Sequence, residues 1–221
     1  MGGPPADPGA RGRDREREKQ SAAESAAALV EDGMTVGLGT GSTVAYLLPA
    51  LAARRLDIRC VATSPATESA ARAVGLPVVD FAGIERIDLA IDGADQVAPD
   101  RWLIKGGGGA HTREKVVARA AQRFVVIVSS EKLLDRLSPP VPLELLAYGL
   151  DATLRALAAE GGEARVRPQT PPSPDGGVIA DWWGPVGDPA ETAAWLSALP
   201  GVVEHGLFPP LLVSEVIAGR D

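Results

Sequence analysis

Short apolar runs that end in glycine-rich or acidic loops, each followed by a helical stripe, are the feature that most limits the possible fold. Residues 34–38 are apolar and run into Gly-Thr-Gly-Ser-Thr at 39–43. Apolar residues then recur with the spacing of one helix face, at Val44, Leu47, Leu48 and Leu51. Strands that alternate with helices form a parallel sheet with right-handed crossovers. We therefore predict an α/β fold whose main domain has a parallel, Rossmann-like sheet.

The same alternation continues to residue 128. An Ala-rich helix is predicted from Lys19 to Val30, and a strand over 57–63 precedes a helix that ends at Ala73. Further strands are predicted at 78–79, 88–91 and 124–128. The helix before the last of these would present one apolar face, made of Val116, Val117, Ala120, Ala121 and Phe124. Residues 1–17 contain almost nothing apolar and are predicted to form a disordered tail.

The pattern changes near Pro140. Strands predicted at 142–148, 163–168, 178–183 and 201–208 alternate with helices at 151–160 and 189–198. This β-α-β-β-α-β order predicts a small ferredoxin-like α+β second domain. A last apolar strand within 211–218 would return to the first sheet. The predicted division is an α/β catalytic domain over 18–138, with a return strand in 210–221, and a small domain over 139–209.

Polar motifs stand where the predicted strands end. The segment 39–43 follows the first strand, Asp92-Gly93-Ala94-Asp95 follows the strand at 88–91, and Ser129-Ser130 follows the strand at 124–128. Ligands of open parallel sheets bind beyond the carboxyl ends of the strands. This placement predicts a ligand site at that edge.

The segment 105–115, Lys-Gly-Gly-Gly-Gly-Ala-His-Thr-Arg-Glu-Lys, is the most distinctive in the chain. Its four consecutive glycines allow a ligand to approach the main-chain N–H groups closely. Lys105 and Glu114 lie at either side of these glycines, and Asp92 and Asp95 precede them. Together these residues provide the groups that proton transfer on a small polar substrate needs. The competing interpretations are a flexible loop, a solvated aspartate turn and a glutamate that only stabilises a helix N-terminus.

Segment 39–43 has three possible interpretations. A dinucleotide fingerprint would need glycine at position 42, where serine stands, and no P-loop pattern occurs. Hydroxyl groups and free N–H groups at a helix N-terminus suit a phosphate dianion better. A purely structural tight turn remains the alternative.

Composition excludes several classes of function. The net charge of -7, without a sustained basic patch, argues against nucleic acid as a partner. A single cysteine, Cys60, excludes an intramolecular disulfide, and two histidines exclude a histidine-rich metal site. No apolar run reaches the roughly 20 residues of a membrane span and no signal peptide is visible, so we predict no membrane contact and a cytoplasmic location. Cys60 is predicted to be buried, and His111 to lie at a pocket rim.

Five segments together resemble ribose-5-phosphate isomerase of type A. They are 39–43, 92–95, 105–109, 112–115 and the Pro-Gly-Val-Val-Glu-His-Gly-Leu-Phe segment at 200–208, and their order and approximate spacing agree from Lys19 to Phe208. The resemblance implies an aldose–ketose isomerase that interconverts D-ribose 5-phosphate and D-ribulose 5-phosphate through an enediolate, in the non-oxidative branch of the pentose phosphate pathway. It also implies a small-molecule sugar phosphate as the ligand and a homo-oligomer, predicted as a homodimer or homotetramer. The isomerase reaction needs no redox cofactor, and the sequence offers no convincing metal site, so we predict no cofactor and no metal.

The resemblance also implies residue roles. Glu114 corresponds to the family's proton-transferring base, and Asp92, Asp95 and Lys105 complete the predicted catalytic set. The predicted substrate-binding residues are Thr40, Gly41, Ser42, Thr43, Asp92, Gly93, Ala94, Asp95, Lys105, Gly106, Gly107, Gly108, Lys132 and Lys19. The chain departs from the family pattern at Gln96, where an acid is usual, and at 173–177, where Thr-Asp-Asn-Gly-Asn is frequent. A non-catalytic sugar-phosphate sensor and a nucleotide-dependent oxidoreductase are the alternative functions.

Overall fold

The computed structural model describes residues 8–159 and 161–220. Its helices are α1 (Pro8–Ala27), α2 (Val44–Arg54), α3 (Pro65–Ala73), α4 (His111–Ala120), α5 (Leu150–Ala159) and α6 (Pro189–Ala198). Its strands are β1 (Thr35–Leu38), β2 (Arg59–Ala62), β3 (Ile87–Asp92), β4 (Gln96–Val97), β5 (Leu103–Ile104), β6 (Ala121–Val128), β7 (Val141–Leu145), β8 (Ala164–Val166), β9 (Val178–Trp182), β10 (Val202–His205), β11 (Leu207–Phe208) and β12 (Glu215–Ala218). Residues 1–7 of the predicted tail, residue 160 of a predicted helix and residue 221 of the predicted return segment lie outside the described residues.

A parallel sheet with the strand order β12-β6-β3-β1-β2 forms the centre of the main domain. The α/β prediction is confirmed, and so is the return of the last strand, since β12 pairs in parallel with β6. From β1 the chain first forms β2 on one side and then crosses to β3 on the other side. The carboxyl ends of β1 and β3 therefore form a switch point, where ligands of such sheets bind.

The two faces of this sheet are covered by different helices. Alternation along β3 places Leu89 and Ile91 in one apolar cluster and Ala90 in another. The first cluster includes the buried stripe of α2, at the four positions that its spacing predicts, and Ala22, Ala23 and Ala26 of α1. The second cluster includes Val117 and Ala118 of α4. Helix α4, which begins just after the glycine loop, is thus anchored beneath the sheet edge that carries the polar motifs.

The second domain is an antiparallel sheet with the order β10-β7-β9-β8, covered by α5 and α6. When these four strands are numbered in chain order, they lie side by side in the order 4-1-3-2. The ferredoxin-like prediction is therefore confirmed. The domain boundaries drawn from the sequence stay a prediction. The predicted strand 201–208 is wrong in one respect, because Gly206 divides it into β10 and β11 and these belong to different sheets.

Three short strands form a further sheet that the sequence did not predict, with the order β11-β5-β4. Main-chain contacts continue beyond it, since the Lys105 N–H donates to Gly206 O at 2.9 Å. A Cβ on Gly206 would lie 2.1 Å from Lys105 O, so only glycine allows this approach. This sheet therefore fixes the main chain where the glycine loop begins.

Several predicted element bounds are corrected. Helix α1 begins at Pro8 and not at Lys19. Its polar first half is held by contacts with residues that follow β6: Arg15 forms an ion pair with Glu131 at 2.6 Å, and Glu18 accepts hydrogen bonds from Ser130 N and Oγ. Residues 78–79 contribute only one isolated bridge, to Cys60. Ala121 and Phe124 belong to β6, not to the preceding helix face. No described helix is both long and apolar enough to cross a membrane.

Candidate active site

Three buried charged side chains meet at the carboxyl edge of the parallel sheet. The ammonium group of Lys105 lies 2.9 Å from Asp92 Oδ2 and 3.0 Å from Glu114 Oε2, and it donates to Gly93 O at 2.5 Å. These three residues are only 2–4% exposed. Asp92 ends β3, Lys105 follows β5 and Glu114 lies in the first turn of α4, so three separate segments assemble the cluster.

The loop after β1 holds Asp92 in place. Asp92 Oδ1 accepts hydrogen bonds from Thr40 N at 3.1 Å and from Gly93 N at 2.7 Å. A Cβ on Gly39 would lie 1.9 Å from the Asp92 carboxylate carbon, so glycine is required at this position. The two polar motifs at the switch point are therefore one connected structure.

The cluster carries two carboxylates for one ammonium group in a dry environment. The pKa of Glu114 is raised to about 8 because burial disfavours its carboxylate; the charge of Asp92 adds to this effect and Lys105 opposes it. Burial also raises the pKa of Asp92, again opposed by Lys105. For Lys105, burial acts to lower the pKa, but the two carboxylates outweigh it and the net direction is upward. A carboxylate whose pKa is raised towards neutrality is suited to accept and return a proton.

A cavity of about 330 Å³ opens above this cluster. Asp92 lies beneath its floor, and the other predicted catalytic and substrate-binding residues line it together with Arg15 and Glu131. The lining residues are Arg15, Lys19, Thr40, Gly41, Ser42, Thr43, Gly93, Ala94, Asp95, Lys105, Gly106, Gly107, Gly108, Glu114, Glu131 and Lys132.

The glycine loop has a defined conformation that other residues would disfavour. Gly106 and Gly109 have φ angles of 112° and 71°, in the region where glycine is favoured. Gly107 N donates to Asp95 Oδ2 at 2.8 Å, and a Cβ on Gly107 would lie 2.7 Å from Asp95 Oδ1. The run of glycines therefore serves close packing and a particular backbone path, which argues against the flexible-loop interpretation.

Segment 40–43 contributes to the cavity in two ways. The Thr40 hydroxyl is turned away from it, because it donates to Ser64 Oγ and lies 2.9 Å from the Thr63 hydroxyl, next to the start of α3. Ser42 and Thr43 instead lie in the cavity wall just before α2 begins at Val44. This arrangement offers hydroxyl groups and helix N-terminal N–H groups to an anion.

Two lysines from other segments also line the cavity. Lys19 comes from α1 and pairs with Glu16 at 2.8 Å, and Lys132 comes from a short 3-10 helix over 130–132. Arg15 and Glu131 are cavity residues that were not predicted. Arg15 was missed because residues 1–17 were assigned to a disordered tail. The signal for Arg15 was the run of charged helix-forming residues at 14–19, which continues directly into the Ala-rich helix.

Two further predictions concern Cys60 and His111. Cys60 is buried as predicted, and burial raises the pKa of its thiol to about 12. His111 was predicted at a pocket rim, which is wrong: it is fully buried, and burial lowers its pKa to about 4. Across residues 8–159 and 161–220, no group of three or more His, Cys, Asp or Glu side chains is placed to hold a metal ion.

The two departures from the family pattern both have defined contacts. Gln96 exchanges hydrogen bonds with the main chain of Ser138, each 2.8 Å long. In the turn at 173–177, Ser173 donates to the buried carboxylate of Glu144, which also accepts from Thr112. This turn therefore supports the first turn of α4, where Glu114 lies.

Comparisons with known proteins show which family the chain resembles. Residues 59–221 match the family model of ribose 5-phosphate isomerase A (phosphoriboisomerase A). The chain is 44% identical over 215 residues to ribose-5-phosphate isomerase A of Roseiflexus sp. (strain RS-1), covering 92% of both chains. It is 44% identical over 218 residues to that of Chloroflexus aurantiacus, covering 93% of this chain and 91% of the relative.

Solved structures show the same likeness. Ribose 5-phosphate isomerase A of Methanocaldococcus jannaschii superposes with a TM-score of 0.86 at 36% identity, covering 92% of this chain and 94% of that one. The enzyme of Neisseria gonorrhoeae gives 0.89 at 32% identity, covering 94% of each chain.

Proposed function

This chain belongs to the ribose 5-phosphate isomerase A family and is an aldose–ketose isomerase, and we propose that Glu114 is the base in its interconversion of D-ribose 5-phosphate and D-ribulose 5-phosphate. The observation that carries the proposal is the placement of Glu114. Its carboxylate is buried, lies 3.0 Å from the Lys105 ammonium group and borders a cavity of about 330 Å³. A base that only stabilised its helix would not need this setting.

Proton transfer at carbon proceeds in two steps, which are linked by a proton transfer between the two substrate oxygens. The Glu114 carboxylate removes the proton from C2 of the open-chain aldose, and the electron pair forms the C1–C2 double bond as the C1 carbonyl oxygen takes up negative charge. A proton then passes from the oxygen on C2 to the oxygen on C1. Glu114 returns its proton to C1, and a carbonyl group forms at C2. One carboxylate therefore serves both transfers, and no net charge or proton is consumed.

Lys105 stabilises the enediolate intermediate. Its ammonium group is buried and held between two carboxylates, so it needs little reorganisation when charge develops on the substrate oxygen. Asp92 fixes Lys105 from below. Asp95 lies in the cavity wall, where its carboxylate binds sugar hydroxyl groups and assists the transfer between the two oxygens.

The phosphate group lies at the other end of the cavity. Ser42, Thr43 and the N-terminus of α2 supply neutral donors, and Lys19 and Lys132 supply positive charge. Helix N-termini bind phosphate through their free N–H groups and the helix dipole. Thr40 contributes indirectly: its hydroxyl is engaged with Thr63 and Ser64, and its main-chain N–H donates to Asp92 and so holds that carboxylate in place.

The test is the conversion of ribose 5-phosphate by the purified chain without added metal or nucleotide. Glu114→Gln is expected to fold and to lose roughly 10²–10⁴ in kcat. Glu191→Gln is the matched control, since Glu191 also lies in the first turn of a helix, α6, but is exposed. Near-normal turnover by folded Glu114→Gln would refute the role of Glu114. Binding of ribose 5-phosphate by wild type without turnover would favour the sensor.

We also propose a homodimer or homotetramer that works in the cytoplasm. Exposed apolar side chains support an assembled state: Val116 is 52% exposed, Val203 44% and Leu211 74%. Trp182 and Trp183 are adjacent in sequence; Trp182 is buried and packs against Trp195, whereas Trp183 is 49% exposed. Sedimentation equilibrium over a range of concentrations tests the assembly, and cell fractionation tests the location.

A further inference from the structure

Arg167, which directly follows β8 in the small domain, holds the glycine loop of the main domain. Its Nε and Nη2 atoms donate to the two carboxylate oxygens of Asp181 at 2.8 and 2.7 Å. Its Nη1 atom donates to Gly106 O at 2.9 Å and to Gly107 O at 3.0 Å. The guanidinium group is thus anchored on one side and grips two successive carbonyl groups on the other, which suits its rigid planar fork of donors.

The hydrogen bonds from Arg167 to these two carbonyl groups determine the direction of the N–H groups in the glycine loop. In a trans peptide the C=O and N–H bonds point in opposite directions. In the peptide between Gly106 and Gly107, the C=O faces Arg167 and the N–H donates to Asp95 Oδ2 in the cavity wall. The next peptide also turns its C=O to Arg167, so the Gly108 N–H points to the cavity side.

The Gly108 N–H is available to a ligand. Gly108 lines the cavity, and a Cβ built on it would lie 3.4 Å from Thr40 Cγ2, in another of the cavity-lining segments. Within the described part of the chain, no acceptor takes a hydrogen bond from this N–H. Without Arg167, a peptide between two glycines can rotate with little steric cost, because neither residue has a Cβ.

We propose that Arg167 is a positioning residue of the isomerase reaction, and that it aims the Gly108 N–H at the enediolate oxygen. The inference rests on the proposed function of this cavity. A preorganised main-chain donor stabilises charge that develops in the transition state more than it stabilises the neutral substrate. Loss of Arg167 should therefore lower kcat and leave the binding of the substrate phosphate largely intact.

The first experiment compares Arg167→Met with Arg165→Met. Arg165 lies on β8, is 64% exposed at its side chain and pairs with the exposed Glu163 two residues before it, so it is a matched control. For Arg167→Met we expect kcat to fall roughly 10²-fold while KM for ribose 5-phosphate changes by less than about threefold. Equal kcat in both variants, or a rise in KM alone, would overturn the proposal.

Two ligands separate positioning from general support of the site. 4-Phosphoerythronate has a carboxylate where the enediolate charge develops, and erythritol 4-phosphate has a neutral hydroxymethyl group there. Arg167→Met is expected to weaken the binding of 4-phosphoerythronate at least about tenfold and to leave the binding of erythritol 4-phosphate nearly unchanged. Equal weakening of both ligands would mean that Arg167 only maintains the cavity.

A third experiment gives a result even if Arg167→Met does not fold. The amide resonance of Gly108 in wild type is expected to move downfield when 4-phosphoerythronate binds, and the Asp181→Asn variant, which keeps the guanidinium but weakens its anchor, should show a smaller movement and a smaller fall in kcat. An unmoved Gly108 resonance would refute the proposal. If wild type itself did not convert ribose 5-phosphate, the proposed function would fail. Normal turnover by both Arg167→Met and Asp181→Asn would overturn only the role of Arg167.

Discussion

Replacing Glu114 by glutamine should change how the stability of the protein depends on pH. The pKa of Glu114 rises from its ordinary 4.5 to about 8 in the folded chain. Between these values the native state binds more protons than the unfolded state, so the free energy of unfolding falls as pH rises. The wild type is therefore most stable, with respect to this group, below pH 4.5, and the contribution is lost as pH rises through about 8.

The size of the effect follows from the same window. One pKa unit corresponds to about 1.4 kcal/mol. The change in the free energy of unfolding between pH 4.5 and about pH 8 is therefore at most about 5 kcal/mol. Asp92 and Glu114 titrate as a coupled pair around Lys105, so we expect about 2–5 kcal/mol. In Glu114→Gln, Asp92 alone faces Lys105 and balances its charge. The mutant should therefore lack this loss of stability.

Urea unfolding of both proteins from pH 5 to pH 9 measures the difference. The free energy of unfolding of Glu114→Gln minus that of wild type should increase with pH and level off above about pH 8. Replacing the carboxyl group by an amide adds an offset that does not vary with pH, whereas the ion pair with Lys105 forms only as Glu114 ionises and is already included in its raised pKa. Glu191→Gln controls for the removal of one negative charge. A difference that stayed flat over the whole range would show that Glu114 does not titrate there, and the argument for a base with a raised pKa would fail.

Three further predictions concern the loop, the phosphate end of the cavity and the small domain. Gly107→Ala would place a Cβ 2.7 Å from Asp95 Oδ1, so kcat/KM should fall at least about tenfold, whereas Gly187→Ala, with open space around it, should behave as wild type. Lys19→Met should raise KM for ribose 5-phosphate about tenfold with little change in kcat, since each factor of ten is about 1.4 kcal/mol of binding; an unchanged KM would remove it from the phosphate site. Leu157→Ala empties a fully buried position under the antiparallel sheet and should cost about 2–5 kcal/mol in the free energy of unfolding, measured by urea titration, with near-normal turnover of the folded fraction.

Elements with a sustained period were predictable from the sequence. Helix α2 shows a four-member apolar stripe, and helix α6 has a Pro at its start after an Asp cap, so its bounds match those expected. Strands β4, β5 and β11 have two residues each, too few to show any alternation. The start of α1 was missed because its residues are polar, and the contacts that hold it come from residues 130 and 131, far along the chain.

The candidate site was predictable to the level of its segments but not of its contacts. Strand ends and glycine runs mark Asp92, Lys105 and Glu114, and the parallel topology explains why the structure brings them together. The direction of the Thr40 hydroxyl depends on residues at the start of α3. The contact of Arg167 with the loop joins two domains, and no local pattern in the sequence indicates it.

The hydrogen bond between Lys105 and Gly206 has a consequence for the order in which a newly made chain becomes competent. Strands β1, β2, β3 and β6 are complete once residue 128 has left the ribosome, so most of the parallel sheet can pair early. The start of the glycine loop, at Lys105, can form only after residues 206–208 are made, because its main-chain partner Gly206 and the neighbouring strand β11 come near the end of synthesis. Enzyme activity in a nascent chain would thus be a late marker of maturation, and chains released before residue 206 would hold a largely formed sheet without a working centre.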